Sequence, residues 1–303
     1  MDIRQLEVFY HVARLKSFSK AGRCVGLTQP SVSGSVRSLE NILGLKLFDR
    51  SGRDISLTRS GEVLFTYAKR ILALRREAIQ QIESISGLKK GILIIGASSI
   101  PGEYMVPGMI QAFYKTNPGI FCMLRVSDSQ RVIQDLMDYD IEIGFVGACS
   151  SQPDIVYEPI ADDRMIVCCS TKHPWSKRKA ITLDELASQP FLIREEGSGT
   201  RKEIEKQLQN AGIGFGDLQI VAEMGSTEAI KQAIKAGYGI SILSAISVKD
   251  LEKSGAVKTL NIKDVPLMRH FYIAELKDRE KSPAHKEFKL EILNNKELTN
   301  ASC

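Results

Sequence analysis

The chain has 303 residues and a net charge of +5, and its length allows two or three compact units. Its 43% of hydrophobic and 25% of charged residues are typical of soluble globular proteins. Charged residues interrupt residues 1–15, so we expect no secretory signal, and no run approaches the roughly 18 apolar residues that span a bilayer. We therefore expect a cytoplasmic protein without a membrane partner.

The charge is unevenly distributed along the chain. Residues 1–90 carry 16 lysines and arginines against 8 acidic residues, whereas residues 91–303 carry 25 against 28. A basic region joined to a mildly acidic one predicts a polyanionic partner for the N-terminal region alone.

The N-terminal region predicts two short helices before its most informative segment. Apolar residues recur at helical spacing over residues 3–16 and predict the first helix. They are Leu6, Phe9, Val12 and Ala13. Ser19 is placed to cap a second helix over residues 20–25, and Gly26 permits a turn after it.

A third helix follows, with Thr28 as its expected cap and Pro30 in its first turn. Its predicted buried stripe consists of Val32, Val36, Leu39 and Leu43. The opposite face carries short polar and basic groups that suit base edges and phosphates. The residues predicted to contact DNA from this helix are Thr28, Gln29, Pro30, Ser31, Ser33 and Arg37.

Residues 45–58 alternate apolar and polar side chains around Ser51 and Gly52, which predicts a basic hairpin. We expect Arg50 and Arg53 of this hairpin to flank the DNA groove, since arginine favours a narrow minor groove. The alternative is a small helical domain with solvated surface charges. The agreement of cap, turn, polar face and hairpin disfavours that alternative.

The second and third helices and the hairpin together resemble the winged helix-turn-helix of LysR-type transcriptional regulators. The matching residues are Ala21, Thr28, Gln29, Pro30, Ser33, Leu39, Glu40, Leu43, Gly44, Leu47, Phe48, Arg50, Leu57, Thr58 and Gly61. The resemblance implies that Gln29, Pro30 and Ser33 begin the recognition helix and that Arg53 is the wing arginine. Gly34 and Ser35 stand where the family often has larger polar residues, so the operator preference stays open.

A long helix is predicted from residue 59 to residue 88, with Thr58 as its cap. Apolar positions there step by four and three over about three heptads, broken at Arg75, which predicts a dimerising coiled-coil seam. The seam consists of Leu64, Ala68, Ile71, Ala78, Ile82 and Ile85. An amphipathic helix packed on its own domain is the alternative. Two paired DNA-binding domains suit an interrupted inverted repeat in double-stranded DNA. The family resemblance implies homodimers that pair into homotetramers.

Beyond a predicted hinge at residues 87–91, strand-like runs alternate with helical stretches, which predicts βαβ units around a parallel sheet. The predicted strands are residues 92–96, 121–126, 141–147, 165–169, 191–193, 219–224, 240–243 and 270–276. The pattern and the resemblance predict an α/β body of two Rossmann-like lobes, similar to type-2 periplasmic binding proteins. An N-terminal all-α winged helix-turn-helix and a long linker helix precede this body.

The expected division is a DNA-binding domain (1–58), a linker and hinge (59–90) and an effector-binding domain (91–303). Within the latter, lobe I covers about 91–161 and 267–303, and lobe II covers about 162–266.

Ligands of such sheets bind beyond the carboxyl ends of strands, where hydroxyls and helix N-termini suit an anion or a carboxylate. The residues placed there are Ser98, Ser99, Gly147, Arg194, Gly197, Ser198, Gly199, Thr200 and Thr227. Ordinary helix capping by the serines and threonines is the competing interpretation. The family resemblance implies an effector cleft lined by these same positions, Arg194 apart. We expect a small anionic effector and no cofactor.

The sequence therefore predicts a DNA-binding transcription regulator that responds to a metabolite, with RNA polymerase as a further partner. The six cysteines form no CxxC pair and the four histidines are scattered, so we expect neither a metal site nor catalysis. We expect Cys168 and Cys169 to pack in an apolar strand rather than to sense oxidants. The alternatives are a constitutive DNA-binding protein, a solute-binding protein and an enzyme with an accessory head.

Overall fold

The computed structural model describes residues 1–49, 55–85 and 90–295, with the backbone alone at residues 84 and 85. Two compact units divide the chain: one holds Met1–Leu88 with Asp138–Asp140, and the other holds Lys89–Met137 with Ile141–Cys303. Across the described segments, no helix is both long enough and apolar enough to cross a membrane.

The first unit begins with three helices that polar caps delimit. They are α1 (Ile3–Leu15), α2 (Phe18–Val25) and α3 (Gln29–Leu43). Ser17, rather than the predicted Ser19, caps α2, because its hydroxyl accepts a hydrogen bond from the Lys20 N–H. Thr28 caps α3 as predicted, and Gly26 ends α2 in the left-handed region at φ 67°. These caps fix which side chains the first turn of α3 presents.

The core of this unit contains the predicted stripe of α3 except at its end. Val32, Val36 and Leu39 are fully buried against α1 and α2. The prediction is wrong for Leu43, which is exposed because it is the last residue of α3, one turn beyond the packed face.

The predicted hairpin is present as β1 (Phe48–Asp49) paired antiparallel with β2 (Ser56–Leu57). Its tip, with Arg50 and Arg53, lies outside the described residues. A long helix follows as α4 (Arg59–Ile85), and Thr58 caps it by accepting a hydrogen bond from the Gly61 N–H.

The first strand of the second unit begins at Gly91, and residues 87–89 of the predicted hinge lie outside the described residues. Strands and helices then alternate through the rest of the unit. They are β3 (Gly91–Ser98), α5 (Ser99–Tyr104), α6 (Val106–Thr116), β4 (Ile120–Ser127), α7 (Ser129–Met137), β5 (Ile143–Val146), β6 (Ile155–Ser170), β7 (Ala180–Ile181), α8 (Leu183–Ala187), β8 (Phe191–Arg194), α9 (Gly199–Asn210), β9 (Ile220–Met224), α10 (Thr227–Lys235), β10 (Ser241–Ser244), α11 (Ala245–Lys253), β11 (Val257–Ile262), β12 (Met268–Leu276) and α12 (Pro283–Asn294).

The main sheet is mixed, not parallel as the local pattern predicts. Strand β3 is parallel to β4 and β5, whereas β12 is antiparallel to both β5 and β6. Strand β6 pairs with β12 along residues 155–164 and then with β10 and β11 along residues 165–170. Because β6 changes partners along its length, it carries the chain from one group of elements to the next.

Two lobes result, each with its own cores. Lobe I contains β3–β5 with α5–α7 and α12, and aromatic residues such as Phe113, Phe145 and Phe288 fill one of its cores. Lobe II contains β7–β11 with α8–α11, and Phe191 lies in one of its cores. Strands β6 and β12 connect the two lobes.

Cys168 and Cys169 lie on β6 and face opposite cores of lobe II, as the alternation of a strand predicts. Burial raises the pKa of Cys168 to about 12 and that of Cys169 to about 11. Both thiols therefore stay protonated at neutral pH, which fits a packing role and disfavours reaction with oxidants.

Candidate effector site and DNA-binding helix

The carboxyl-terminal ends of β3 and β5 and the start of α9 meet between the lobes around a small cavity, here called the interlobe recess. Its volume is about 10 Å³, which is the space of one water molecule. The predicted effector residues that line it are Ser98, Ser99, Gly147, Ser198, Gly199 and Thr200. Residues from distant parts of the sequence thus meet where the pattern of strand ends predicts a ligand.

Arg194 ends β8 and bridges the two lobes, although it lies outside the residues that line the recess. Only 4% of its surface is exposed. Its Nη2 donates to Ser99 Oγ of lobe I at 3.1 Å, and its Nη1 donates to Thr227 Oγ1 of lobe II at 2.6 Å. Glu195 accepts two hydrogen bonds from the same guanidinium, both at 2.6 Å.

The charge of Arg194 is therefore matched within the protein. Burial alone would raise the pKa of Glu195, but the hydrogen bonds from Arg194 outweigh it and lower that pKa. We call Arg194, Glu195, Ser99 and Thr227 the interlobe clasp. Two of the predicted effector residues, Arg194 and Thr227, thus contact each other rather than the recess.

Arg269, a residue that sequence reasoning missed, supplies the positive charge of the recess. It lies on β12 with 3% of its surface exposed. Its Nε donates to Asp163 Oδ2 at 2.7 Å and its Nη1 donates to Thr200 Oγ1 at 3.0 Å. Its guanidinium also lies over the ring of Phe271, 4.8 Å from the ring centre.

Two buried polar atoms of the recess residues are without protein partners. Among the described residues, neither Arg269 Nη2 nor Ser129 Oγ makes a hydrogen bond. The Asp163 carboxylate is already shared, since its Oδ1 accepts from Ser244 at 2.7 Å. A buried donor without an acceptor costs about 1–3 kcal/mol. These two groups therefore favour an acceptor from a bound molecule.

Close packing explains two of the predicted glycines. A Cβ on Gly199 would lie 2.4 Å from Ser129 Oγ, and a Cβ on Gly147 would lie 3.3 Å from Arg269 Nη1. Gly197, at φ 89°, lies beside Asp128 and lines a neighbouring cavity instead of the recess. Larger residues at Gly147 or Gly199 would therefore crowd the polar groups of the recess.

The capping interpretation holds for Ser198 but not for Ser98. Ser198 accepts the Arg201 N–H at the start of α9. Ser98 precedes α5 and makes no capping hydrogen bond with its side chain. Ser226 caps α10, so the cap of that helix does not use the hydroxyl of Thr227.

Sequence reasoning missed four polar residues of this site: Arg269, Asp163, Ser129 and Ser244. The available signal was a charged residue inside a strand-like run, as with Arg269 in residues 268–276. The pairing of Arg269 with Asp163, 106 residues earlier, is a tertiary fact that no local spacing contains.

The first turns of α3 present the polar face that the sequence predicts. Gln29, Pro30, Ser31 and Arg37 are exposed, whereas Ser33 is half-buried. Gln29 Nε2 donates to Ser33 Oγ at 3.3 Å. The exposed face therefore combines short side chains with one amide and one guanidinium.

The predicted seam of α4 needs correction in its first half. Ala68 is fully buried in the core of the first unit, and Leu64 and Ile71 pack against that core. These three residues are covered within their own chain, so a second helix cannot use the Ala68 side chain. Ala78 and Ile82 are exposed as the seam requires, and the side chain of Ile85 lies outside the described residues.

In its first half, α4 instead exposes apolar residues that lie one position before the predicted seam. The exposed stripe of α4 consists of Val63, Tyr67, Leu74, Ala78 and Ile82. The sequence did not separate the two stripes because both have helical spacing.

Comparisons with known proteins agree with this architecture. Residues 3–62 match the bacterial regulatory helix-turn-helix protein, lysR family, and residues 86–295 match the LysR substrate binding domain. The HTH-type transcriptional activator CmpR of Synechocystis sp. is 34% identical over 280 residues, which cover 92% of this chain and 91% of CmpR.

Two solved structures are also similar. The regulatory domain of Synechocystis CcmR, solved in complex with 2-PG, is 25% identical with a TM-score of 0.62, and the match covers 68% of this chain and 97% of that one. Full-length CbnR, solved with its target DNA, is 21% identical with a TM-score of 0.72, and the match covers 97% of this chain and 99% of CbnR. The chain therefore belongs to the LysR family of transcriptional regulators, which join a DNA-binding head to an effector-binding domain and are not enzymes.

Proposed function

We propose that this regulator is controlled by an anionic effector, one acidic oxygen of which occupies the interlobe recess. The observation that carries the proposal is the buried guanidinium of Arg269, whose Nη2 has no acceptor within the described chain. Hydrogen bonds from a charged donor are about twice as strong as neutral ones. An anion at this point satisfies Arg269 Nη2 and Ser129 Oγ together.

Eight of the nine predicted effector residues divide into two groups, and Gly197 lines a neighbouring cavity instead. Ser98, Ser99, Gly147, Ser198, Gly199 and Thr200 form the wall of the recess. The interlobe clasp, through Arg194 and Thr227, holds the lobes at a separation that the effector has to match. The relative's complex with 2-PG supports a small-molecule ligand in this domain of the family.

The head and α4 supply the DNA-binding half of the function. The face formed by Thr28, Gln29, Pro30, Ser31, Ser33 and Arg37 contacts the major groove, and Arg50 and Arg53 of the hairpin flank it. The exposed stripe of α4 pairs two chains, since contiguous exposed apolar residues mark association surfaces. A homodimer places two heads on an interrupted inverted repeat, and two dimers form a tetramer.

We assign DNA binding to residues 1–58, pairing to residues 59–90 and effector sensing to residues 91–303. Lobe I comprises about 91–161 and 267–303, and lobe II comprises about 162–266. An effector that binds better to one arrangement of the assembly shifts the population toward it and changes DNA binding by the same free energy. This change in DNA binding would alter the access of RNA polymerase to the DNA.

The test measures DNA affinity of the full-length protein by fluorescence anisotropy, with and without small anions. Arg269→Gln should remove the response to anions, and Arg164→Gln, an exposed arginine on the neighbouring β6, is the matched control. Ser129→Ala, which leaves the Arg269–Asp163 ion pair intact, should weaken the response without loss of folding. A full response in both Arg269→Gln and Ser129→Ala would refute an anion site in the recess.

A further inference from the structure

The first compact unit includes one short piece from a distant part of the chain. These residues, Asp138–Asp140, form a turn between α7 and β5 and are called the acidic turn here. Tyr139 at its centre has φ 61°, in the left-handed region that bulky side chains rarely adopt. A backbone in this region persists where the surrounding contacts hold it. The contacts of the acidic turn therefore decide its conformation.

Lys69 of α4 holds the acidic turn by its two carboxylates. Its Nζ donates to Asp140 Oδ2 at 2.8 Å and to Asp138 Oδ2 at 3.2 Å. Only 11% of the Lys69 side chain is exposed. Burial would lower the pKa of Lys69, but the hydrogen bonds and charges of the two aspartates outweigh it and raise that pKa. A partly covered ion pair of this kind is screened less than a surface pair.

The same lysine belongs to a group of rings that reaches α1. Lys69 Nζ lies 4.9 Å from the centre of the Phe65 ring, and Phe65 stacks on Tyr10 of α1 with 5.6 Å between ring centres. The guanidinium of Arg70, the next residue of α4, lies 5.5 Å from the centre of the Tyr139 ring. A cation over an aromatic ring is attracted to it. A displacement of the acidic turn therefore changes the contacts of α4 and, through Phe65, the contact of α4 with α1.

Helix α7 joins the acidic turn to the interlobe recess. It begins at Ser129, whose Oγ has no hydrogen-bond partner within the described chain, and it ends at Met137, directly before Asp138. Its 9 residues span about 14 Å. Val132 and Leu136 bury its inner face in a core of lobe I. Because packed helices shift as whole elements, a displacement at Ser129 is passed to the acidic turn.

We propose that the acidic turn transmits the state of the recess to α4, with Lys69 as the positioning residue of this contact. An anion bound at Ser129 favours one position of α7, and the acidic turn then favours one arrangement of Lys69, Phe65 and Tyr10. Two sites are coupled when both bias the same element, here α7 with its turn. This inference rests on the proposed function, because the effector acts on α7 from the recess.

The first experiment displaces α7 without a ligand. A Cβ on Gly199 would lie 2.4 Å from Ser129 Oγ, so Gly199→Ala pushes against the start of α7. Gly239→Ala is the matched control, because its Cβ would meet the Pro190 carbonyl oxygen at 2.6 Å, in lobe II rather than at α7. Hydrogen–deuterium exchange of the full-length protein measures the opening of the α4 peptides around Lys69.

We expect Gly199→Ala to change the exchange rates of those α4 peptides by about fivefold or more, the lower end of typical coupling between sites. In Lys69→Met, which removes the charge and keeps an apolar stem, the same substitution should change them by less than about twofold. Lys69→Arg, which can still pair with both aspartates, should restore the effect. Gly239→Ala should leave the rates at the wild-type level. Ser129→Thr adds one methyl group at the start of α7 and replaces Gly199→Ala if that variant does not fold.

The second experiment measures the change in DNA affinity that small anions cause, by the anisotropy assay described above. Lys69→Met should reduce this response about fivefold or more. Lys249→Met, which changes an exposed lysine of α11, should respond like wild type. A response of wild-type size in Lys69→Met overturns the transmission through Lys69.

The outcomes separate this inference from the proposed function. Unchanged α4 exchange in both Gly199→Ala and Ser129→Thr overturns the transmission through the acidic turn, and so does a change that persists in full in Lys69→Met. Neither result bears on the anion site, which Arg269→Gln tests through the DNA response. Altered α4 exchange in Gly199→Ala, its loss in Lys69→Met and its return in Lys69→Arg are the expected results.

Discussion

Helix α3 and the interlobe recess present their polar groups in opposite ways. In α3, neighbouring residues between Thr28 and Arg37 place exposed side chains on one face, while Val32 and Val36 fill the core behind them. In the recess, Ser98, Thr200 and Arg269 are buried and come from segments far apart in the chain. A helix face follows from local spacing, whereas the recess depends on tertiary pairing.

Because of this difference, we expect substitutions in α3 to affect DNA binding alone and substitutions in the recess to affect the stability of the fold as well. An exposed side chain of α3 is solvated in the free protein, so its removal changes DNA binding and little else. A buried charge of the recess is held by specific partners, so the loss of one partner also destabilises the fold.

The largest expected effect is that of Asp163→Ala. The side chains of Asp163 and Arg269 are each 2% exposed and their ion pair is 2.7 Å long. Removal of the carboxylate leaves a buried guanidinium uncompensated, which costs about 3–5 kcal/mol of unfolding free energy. Urea denaturation measures this loss. Asp162→Ala removes the adjacent carboxylate, which is 61% exposed, and should leave the midpoint nearly unchanged. Equal losses in both variants would contradict the role of burial.

The second prediction concerns the exposed face of α3. Gln29→Ala should relax the sequence preference at one base pair by about 1–3 kcal/mol without a change in the unfolding midpoint. Arg37→Ala should weaken binding to all DNA sequences. It should also reduce the slope of the logarithm of the binding constant against the logarithm of the salt concentration by about one. Fluorescence anisotropy with matched and altered operators at several salt concentrations measures both. A changed unfolding midpoint with unchanged DNA binding would contradict the expectation that exposed residues of α3 act on binding and not on stability.

Thr200→Val should have a smaller effect, mainly on the effector response, because Arg269 keeps its ion pair with Asp163. Valine keeps the shape of threonine but cannot accept the hydrogen bond from Arg269 Nη1, which is 3.0 Å long. We expect the effector concentration for half-maximal response to rise about tenfold, about 1.4 kcal/mol. DNA affinity without effector should not change, and a wild-type response would move the site away from Thr200.

A further prediction concerns a pH dependence of stability outside the recess. Burial would raise the pKa of Glu275, but hydrogen bonds from His285 and Lys289 outweigh it and lower the pKa from 4.5 to about 2. A lowered pKa in the folded state stabilises the protein above pH 4.5, and this stability is lost as the pH falls from 4.5 toward 2. Glu275→Gln should show a shallower loss of unfolding free energy in that window, measured by urea titrations at each pH. Parallel curves of unfolding free energy against pH for wild type and Glu275→Gln would refute this prediction.

The sequence predicted those features that depend on neighbouring residues. The Thr28 cap, the turn at Gly26, the presence of a hairpin after α3 and the opposite faces of Cys168 and Cys169 follow from local spacing and backbone chemistry. The positions of strand ends also brought Ser98 and Thr200 into one candidate site.

Features set by long-range packing were not predictable in this way. The antiparallel pairing of β6 with β12 makes the sheet mixed, and no residue pattern within either strand specifies its partner. Helix α4 carries two apolar stripes, and only the fold shows that the head covers Leu64, Ala68 and Ile71. Arg194 was an effector candidate because it ends a strand, but its bidentate contact with Glu195 places it in the interlobe clasp instead of the recess.

The most direct test is selection of genomic fragments by the full-length protein, with and without the small anion that gives the strongest response in the anisotropy measurements. We expect a few sites that carry an interrupted inverted repeat, and we expect their recovery to change with the ligand in wild type and to change less in Ser129→Ala. Recovery without sequence preference, or recovery that is the same with and without the ligand, would contradict a regulator controlled through the interlobe recess.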